Sequence, residues 1–114
     1  PLPRARAEAL VALTRSVAEG QVQIDPGADR DETEVRLKRL PGIGQWTASY
    51  VRMRALGDPD VFLGGDLGIK RALAGRRTKS DDSLEGCRPW RSYATVHLWT
   101  AAAAQHRRKE KPSP

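Results

Sequence analysis

The chain has 114 residues, which is enough for one domain with one modest hydrophobic core. Its 20 lysines and arginines against 14 acidic residues give a net charge of +6 and a pI of about 10.1, which favours an anionic partner, with nucleic acid first. The single cysteine excludes an internal disulfide, and since no apolar run is long enough for a membrane span or a signal peptide, we expect a cytoplasmic, nucleoid-associated protein.

The first predicted element is an amphipathic helix over residues 4–19. Leu10, Leu13 and Val17 recur there at helical spacing and are expected to form its buried face. Gly20 follows at the position where a helix commonly ends on a glycine. The helix is preceded by only three residues, and we expect the chain to be a segment of something longer.

A second helix is predicted over residues 30–39, after a short connection. Asp29 precedes it as a candidate N-cap, and Glu32 stands three residues later, which is the spacing of a capping box. Val35 and Leu40 are predicted to face the core, and the basic residues between them face water or a partner.

A tight turn follows, in which Gly42 and Gly44 flank one apolar residue. Glycines let the backbone turn sharply, and they leave the N–H groups at the start of the next helix bare. A helix N-terminus without obstructing side chains is a phosphate-binding site, and here the expected phosphates are those of a nucleic acid. The alternative is a plain loop between two packed helices. The candidate phosphate-binding residues are Pro41, Gly42, Ile43 and Gly44.

The second half of the chain is also predicted to be helical. Helices are expected over residues 45–56, 67–74 and 89–105, with a short extended run at 61–63 and a disordered basic tail over 106–114. Because no strand pattern is longer than three or four residues, we predict an all-α fold, a helical bundle containing a helix-hairpin-helix motif.

Several stretches together resemble one known family. The chain is similar, over about residues 30–100, to the helix-hairpin-helix-GPD DNA glycosylase superfamily and within it to the AlkA-type 3-methyladenine DNA glycosylases. The stretches that carry this resemblance are 40–48 (LPGIGQWTA), 60–63 (DVFL), 66–70 (DLGIK) and 89–99 (PWRSYATVHLW). On this basis residues 1–105 are expected to be the C-terminal portion of such a glycosylase domain.

The resemblance implies base-excision repair of double-stranded DNA without a cofactor. An enzyme of this type flips an alkylated purine such as 3-methyladenine out of the duplex and hydrolyses its N-glycosidic bond. The resemblance places the catalytic carboxylate at Asp66. Its position before a helix suits that role, because free N–H groups and the positive end of the helix favour an ionised carboxylate. The alternative is that Asp66 only caps the helix.

The residue at position 46 separates two kinds of chemistry. In relatives that also cut the DNA strand, a lysine at this position forms a Schiff base, whereas Trp46 cannot act as a nucleophile. The resemblance therefore implies a monofunctional glycosylase. Lys70, one turn past the candidate carboxylate, is expected to be solvated.

Aromatic residues are the candidate walls of a base pocket. The resemblance places Trp46, Tyr50 and Trp99 there, and an electron-rich ring attracts a cationic base by about 0.5–2 kcal/mol per contact. Trp90 and Tyr93 are expected to be core aromatics instead.

The resemblance also implies features beyond the carboxylate. Related hairpins hold a cation through backbone carbonyls, here those of Leu40 and Ile43, and relatives carry a further N-terminal domain.

The chain departs from relatives at Gly64 and Gly65, which loosen the loop before the aspartate, and at Leu67, where some relatives have an aromatic residue. The alternatives to an enzyme are a truncated, non-catalytic DNA-binding module and a helical protein-interaction module.

Overall fold

The regular structure of this protein is helical throughout the described residues. The computed structural model describes residues 2–74 and 84–110, and it contains no strand within them, so the predicted all-α class is confirmed. None of the helices in that part of the chain is long and apolar enough to cross a bilayer. The helices are α1 (Arg4–Ala18), α2 (Arg30–Lys38), α3 (Gln45–Arg54), α4 (Leu67–Ala74) and α5 (Arg91–Glu110), with a 3₁₀ turn at Glu85–Cys87.

The chain divides into two compact units, Pro1–Asp58 and Pro59–Pro114. The first contains α1 to α3, and α2 packs against α3. One cluster of its core consists of four buried residues and of partly buried side chains around them, among them Leu13 and Leu40. The four buried residues are Val22, Leu37, Ile43 and Ala48.

Helix α1 ends as its sequence predicts, but it presents an unexpected face. Gly20 lies just past its end with φ of +77°, a backbone conformation that glycine adopts readily. Leu13 packs on the core, whereas Leu10 is 55% exposed and Val17 is also exposed, so the prediction that all three are buried is wrong. Leu10, Val11 and Val17 together form an exposed apolar surface on α1.

Helix α2 begins at the predicted cap. The Asp29 carboxylate accepts the N–H of Glu32 at 3.0 Å, and the Glu32 side chain binds Arg36. The prediction that Val35 faces the core is wrong. Val35 is 47% exposed, and Leu37 is the completely buried residue of this helix. In so short a helix the apolar residues alone do not fix which side faces the core.

These two residues of α2 provide a matched test of the core. Leu37→Ala is expected to lower the free energy of unfolding by about 3 kcal/mol, because it leaves a cavity where no water was accessible. Val35→Ala is expected to change it by less than about 0.5 kcal/mol. Urea unfolding measures both values, and equal losses in the two variants would contradict this assignment of the core.

The second unit contains α4 and α5, which pack against each other. One cluster of its core is formed by Ile69, Leu84 and Leu98, with Leu73 and Trp99 partly buried against them. Ile69 and Leu73 are thus the residues by which α4 contributes to this cluster.

Helix α5 differs from its prediction at both ends. It begins at Arg91, two residues after the predicted start, and it continues to Glu110. Residues 106–110 are therefore helical rather than part of a disordered tail, and residues 111–114 lie outside the described part of the chain. Trp90 and Tyr93 are exposed and contact each other edge to face, so their prediction as core aromatics is wrong.

Candidate functional site

The turn between α2 and α3 requires a glycine at position 42. Gly42 has φ of +81°, and a Cβ added to it would lie 2.9 Å from the Cβ of Ala9 on α1. Ile43 contributes its side chain to the core, and its N–H donates to the carbonyl of Leu40 at 3.2 Å. The Ile43 N–H is therefore bonded within the turn itself.

Helix α3 begins at Gln45, and its N-cap residue, Gly44, provides no side-chain cap. The first N–H groups of a helix have no acceptor within the helix, so this end can accept an anion. Nearby, the Gln45 side chain binds Lys38 at 2.9 Å and Ser49 at 2.9 Å, which ties the first turn of α3 to α2. That the turn binds phosphate remains a prediction.

The Leu40 and Ile43 carbonyls were expected to hold a backbone-bound cation. The Leu40 carbonyl already accepts the Ile43 N–H, which leaves one lone pair of that oxygen for a metal.

An arginine holds α2 and α3 in register across the turn. Arg52 donates to Asp58 at 2.6 Å, to Asp31 at 2.7 Å and to Glu34 at 2.9 Å. Partial burial acts to lower the pKa of Arg52, but these carboxylates raise it above its usual value, so the guanidinium stays charged. Sequence analysis missed this cluster, because its only signal is an arginine opposite three acidic residues that lie far apart in the chain.

Two predicted pocket residues lie together on α3. The rings of Trp46 and Tyr50 stack with centroids 5.1 Å apart and planes at 10°, and the Arg54 guanidinium lies 5.8 Å from the centroid of Tyr50. Trp46 is 41% exposed, so an aromatic surface is available in this unit. The one-turn spacing of the two residues made this contact predictable.

The candidate carboxylate stands at the start of α4. The Oδ2 atom of Asp66 accepts the N–H of Ile69 at 2.9 Å and the indole N–H of Trp99 at 2.9 Å. The predicted capping position is therefore confirmed, and the third predicted pocket residue is brought into contact with the carboxylate. Lys70 and Leu67 are exposed beside it.

The loop that leads to Asp66 is attached to the first turn of α5. The N–H of Val61 donates to Ser92 Oγ at 2.8 Å, and the N–H of Ser92 donates to the Pro59 carbonyl at 2.9 Å. Arg91 donates to Asp60 through Nε at 2.8 Å. Helix α5 thus supports both the loop and the carboxylate at its end.

The attachment at Asp60 makes the stability of this unit depend on pH. The Arg91 side chain, by hydrogen bonding, lowers the pKa of the Asp60 carboxyl below its ordinary value. Its contribution is complete above the unfolded-state pKa and is lost as the pH falls through the lower folded-state value. We expect Asp60→Asn to be less stable than the parent at neutral pH, and the difference to shrink below about pH 4.

Denaturant unfolding at several pH values measures this difference. Glu8→Gln is the control, because Glu8 pairs with Arg4 on an exposed turn of α1 and such pairs contribute little. A difference between Asp60→Asn and the parent that stays constant into the acid range would contradict the assignment.

The site residues fall into two groups. The turn residues, Trp46 and Tyr50 belong to the first unit, and Asp66 and Trp99 belong to the second. Within the first group, the rings of Trp46 and Tyr50 stack on each other. Within the second group, the Trp99 indole binds the Asp66 carboxylate.

The chain is similar over most of its length to DNA-3-methyladenine glycosylases of the AlkA type, which confirms the resemblance that its sequence predicts. No protein-family model matches the chain.

Three relatives represent this similarity. A Mycobacterium tuberculosis protein described as a probable bifunctional transcriptional activator/DNA repair enzyme AlkA is 44% identical over 105 residues, which are 87% of this chain and 21% of that protein. The Escherichia coli DNA-3-methyladenine glycosylase 2 is 37% identical over 86% of this chain and 35% of its own. The Bacillus subtilis DNA-3-methyladenine glycosylase is 32% identical over 82% and 34%. The chain therefore spans about a fifth to a third of the length of these relatives.

Proposed function

We propose that this chain provides the catalytic carboxylate and the DNA-holding turn of a monofunctional glycosylase that removes alkylated purines from double-stranded DNA. The observation that carries the proposal is the Asp66 carboxylate at the start of α4, held by two N–H donors, in a chain similar to named 3-methyladenine glycosylases.

The proposed reaction is hydrolysis of the N-glycosidic bond. An alkylated purine is cationic, so it leaves with the bonding electron pair as a neutral base and needs little acid assistance. Positive charge develops on the deoxyribose, and the ionised Asp66 stabilises that charge. A water molecule then forms a bond to the sugar carbon, and its proton passes to Asp66 or to solvent.

Aromatic residues support recognition of the damaged base. A flipped base is held between aromatic side chains in enzymes of this kind, and a cationic ring gains more from that contact than a neutral one. Trp46 and Tyr50 provide a stacked aromatic surface, and Trp46 excludes the Schiff-base route at its position. The substrate preference for alkylated purines such as 3-methyladenine follows from this contact.

The turn before α3 supports DNA binding. The N–H groups of Gly42 and Gly44 are the proposed phosphate donors, and the net charge of +6 favours the encounter. Such contacts position the DNA without reading its sequence, which suits an enzyme that must search all sequences.

The proposal includes a further domain that covers α1. Its support is the exposed apolar surface of Leu10, Val11 and Val17, together with the greater length of the named relatives. An exposed apolar patch on a helix is typical of a surface that another part of a protein covers.

The test is base release from duplex DNA that carries alkylated purines. The chain is incubated with methylated duplex, and the freed bases are separated by chromatography and compared with those from undamaged duplex. We expect 3-methyladenine to be released from the damaged duplex only. Binding that weakens steeply with salt, without release above the buffer control, would instead support a DNA-binding module without catalysis.

A further inference from the structure

The contact between Asp66 and Trp99 includes a third residue. A Cβ added to Gly68 would lie 3.0 Å from Asp66 Oδ2, 3.3 Å from Trp99 Cδ1 and 3.4 Å from Trp99 Nε1. All three atoms belong to the carboxylate–indole contact, so the missing side chain of Gly68 leaves the space in which this hydrogen bond forms.

We propose that Trp99 and Gly68 are positioning residues, which together fix the orientation and the ionised state of the Asp66 carboxylate. Trp99 does so by donating its indole N–H, and Gly68 does so by allowing the indole to approach. This inference rests on the proposed function for its purpose, but the contact itself can be tested without catalysis.

The chemistry of the donor suits a carboxylate that must face a cation. The indole N–H is a donor only, so it stabilises the ionised carboxylate and cannot take its proton. It is also neutral, as is the Ile69 N–H that shares Oδ2. A lysine or arginine in this place would pair with the carboxylate and oppose the positive charge that develops on the sugar. These two donors hold the group without neutralising its charge.

The position of Gly68 is otherwise unfavourable. Glycine is among the poorest residues for a helix, and Gly68 is the second residue of α4. Its φ is not in the left-handed region, so the backbone does not require glycine there. The close approach of the Trp99 indole therefore explains why position 68 has no side chain.

The indole N–H signals of the three tryptophans test the contact directly. In ¹H–¹⁵N spectra of the whole chain, single Trp→Phe variants assign each signal. We expect the Trp99 signal to move on acidification, as the carboxylate that accepts its indole N–H takes up a proton. The exposed Trp90 is the internal control and should not follow that transition.

Two further variants complete the test. Asp66→Asn keeps an acceptor but cannot ionise, so the movement of the Trp99 signal should disappear. Gly68→Ala favours the helix and should remain folded, yet its methyl group should bring the Trp99 signal close to that of Trp90 and speed its hydrogen exchange by about tenfold. A Trp99 signal that does not titrate in the parent, or that still titrates in Asp66→Asn, would overturn the proposal.

Activity measurements separate this inference from the proposed function. If the chain releases base, we expect Trp99→Phe to be about tenfold slower, with the acid limb of its pH profile moved to higher pH, while Trp90→Phe matches the parent. An unchanged rate and pH profile in Trp99→Phe would also overturn the positioning role. If no base is released but the Trp99 signal still responds to protonation of Asp66, the proposed function is wrong. The inference that Trp99 positions the Asp66 carboxylate is then retained.

Discussion

Replacing Asp66 by asparagine is expected to reduce the rate of base release by about 10²- to 10³-fold, which is the usual cost of removing one electrostatic contact to a transition state. Asparagine has nearly the same shape and is as good a helix cap, so α4 should be retained. The amide has no negative charge to stabilise the developing cation on the sugar. Affinity for damaged duplex is expected to change by less than about threefold, because a carboxylate contributes no attraction to phosphate.

The chain offers a matched control for this change. Asp29 is also an aspartate that caps a helix, since it accepts the Glu32 N–H at the start of α2. Asp29→Asn makes the same chemical change in the first unit, and base release should remain at the parent rate. Single-turnover release and duplex binding are measured for both variants. Comparable rates in the parent and in Asp66→Asn would remove Asp66 from the mechanism.

Replacing Gly42 by alanine is expected to lower the free energy of unfolding by about 2–4 kcal/mol. Part of this loss comes from the backbone, because a φ of +81° costs an L-residue about 1–2 kcal/mol. The rest comes from overpacking, because the new Cβ would lie 2.9 Å from the Cβ of Ala9. Gly44→Ala is the control, since nothing lies within 4 Å of a Cβ there, and its loss should stay below about 1 kcal/mol.

A double-mutant cycle divides the two causes. Ala9→Gly removes the atom that the new Cβ would meet, so it should reduce the effect of Gly42→Ala while leaving the backbone cost in place. Urea unfolding of the parent, both single variants and the double variant gives the coupling. If Gly42→Ala costs the same in both backgrounds, α1 does not contact the turn in the way described.

The elements with local signals were predicted well. Asp29 and Asp66 were recognised as caps because a helix start depends on residues within one turn. The stack of Trp46 on Tyr50 follows from their spacing on a single helix. These features depend on the chain over a few residues only, and sequence patterns report such short-range relations directly.

The features that were missed depend on distant residues. Leu37 rather than Val35 is the buried residue of α2 because of the parts of the chain that pack against this helix. The nine residues of the helix alone do not indicate where those parts lie. The Arg52 cluster joins residues up to 21 positions apart, and the Asp66–Trp99 bond joins residues 33 positions apart. The reason for a glycine at position 68 can be seen only once that bond is known.

The two attachments of α5 make this helix a spacer of fixed length. Its first turn holds the loop at Asp60, and Trp99 holds the carboxylate eight positions after Arg91, a rise of about 12 Å along the axis. Substitutions between them would preserve that distance. One inserted or deleted residue would turn the indole by about 100° around the helix and carry it away from Asp66. The exposed positions of this segment, Tyr93 and His97, are therefore expected to accept substitutions far more readily than the segment accepts a change in length.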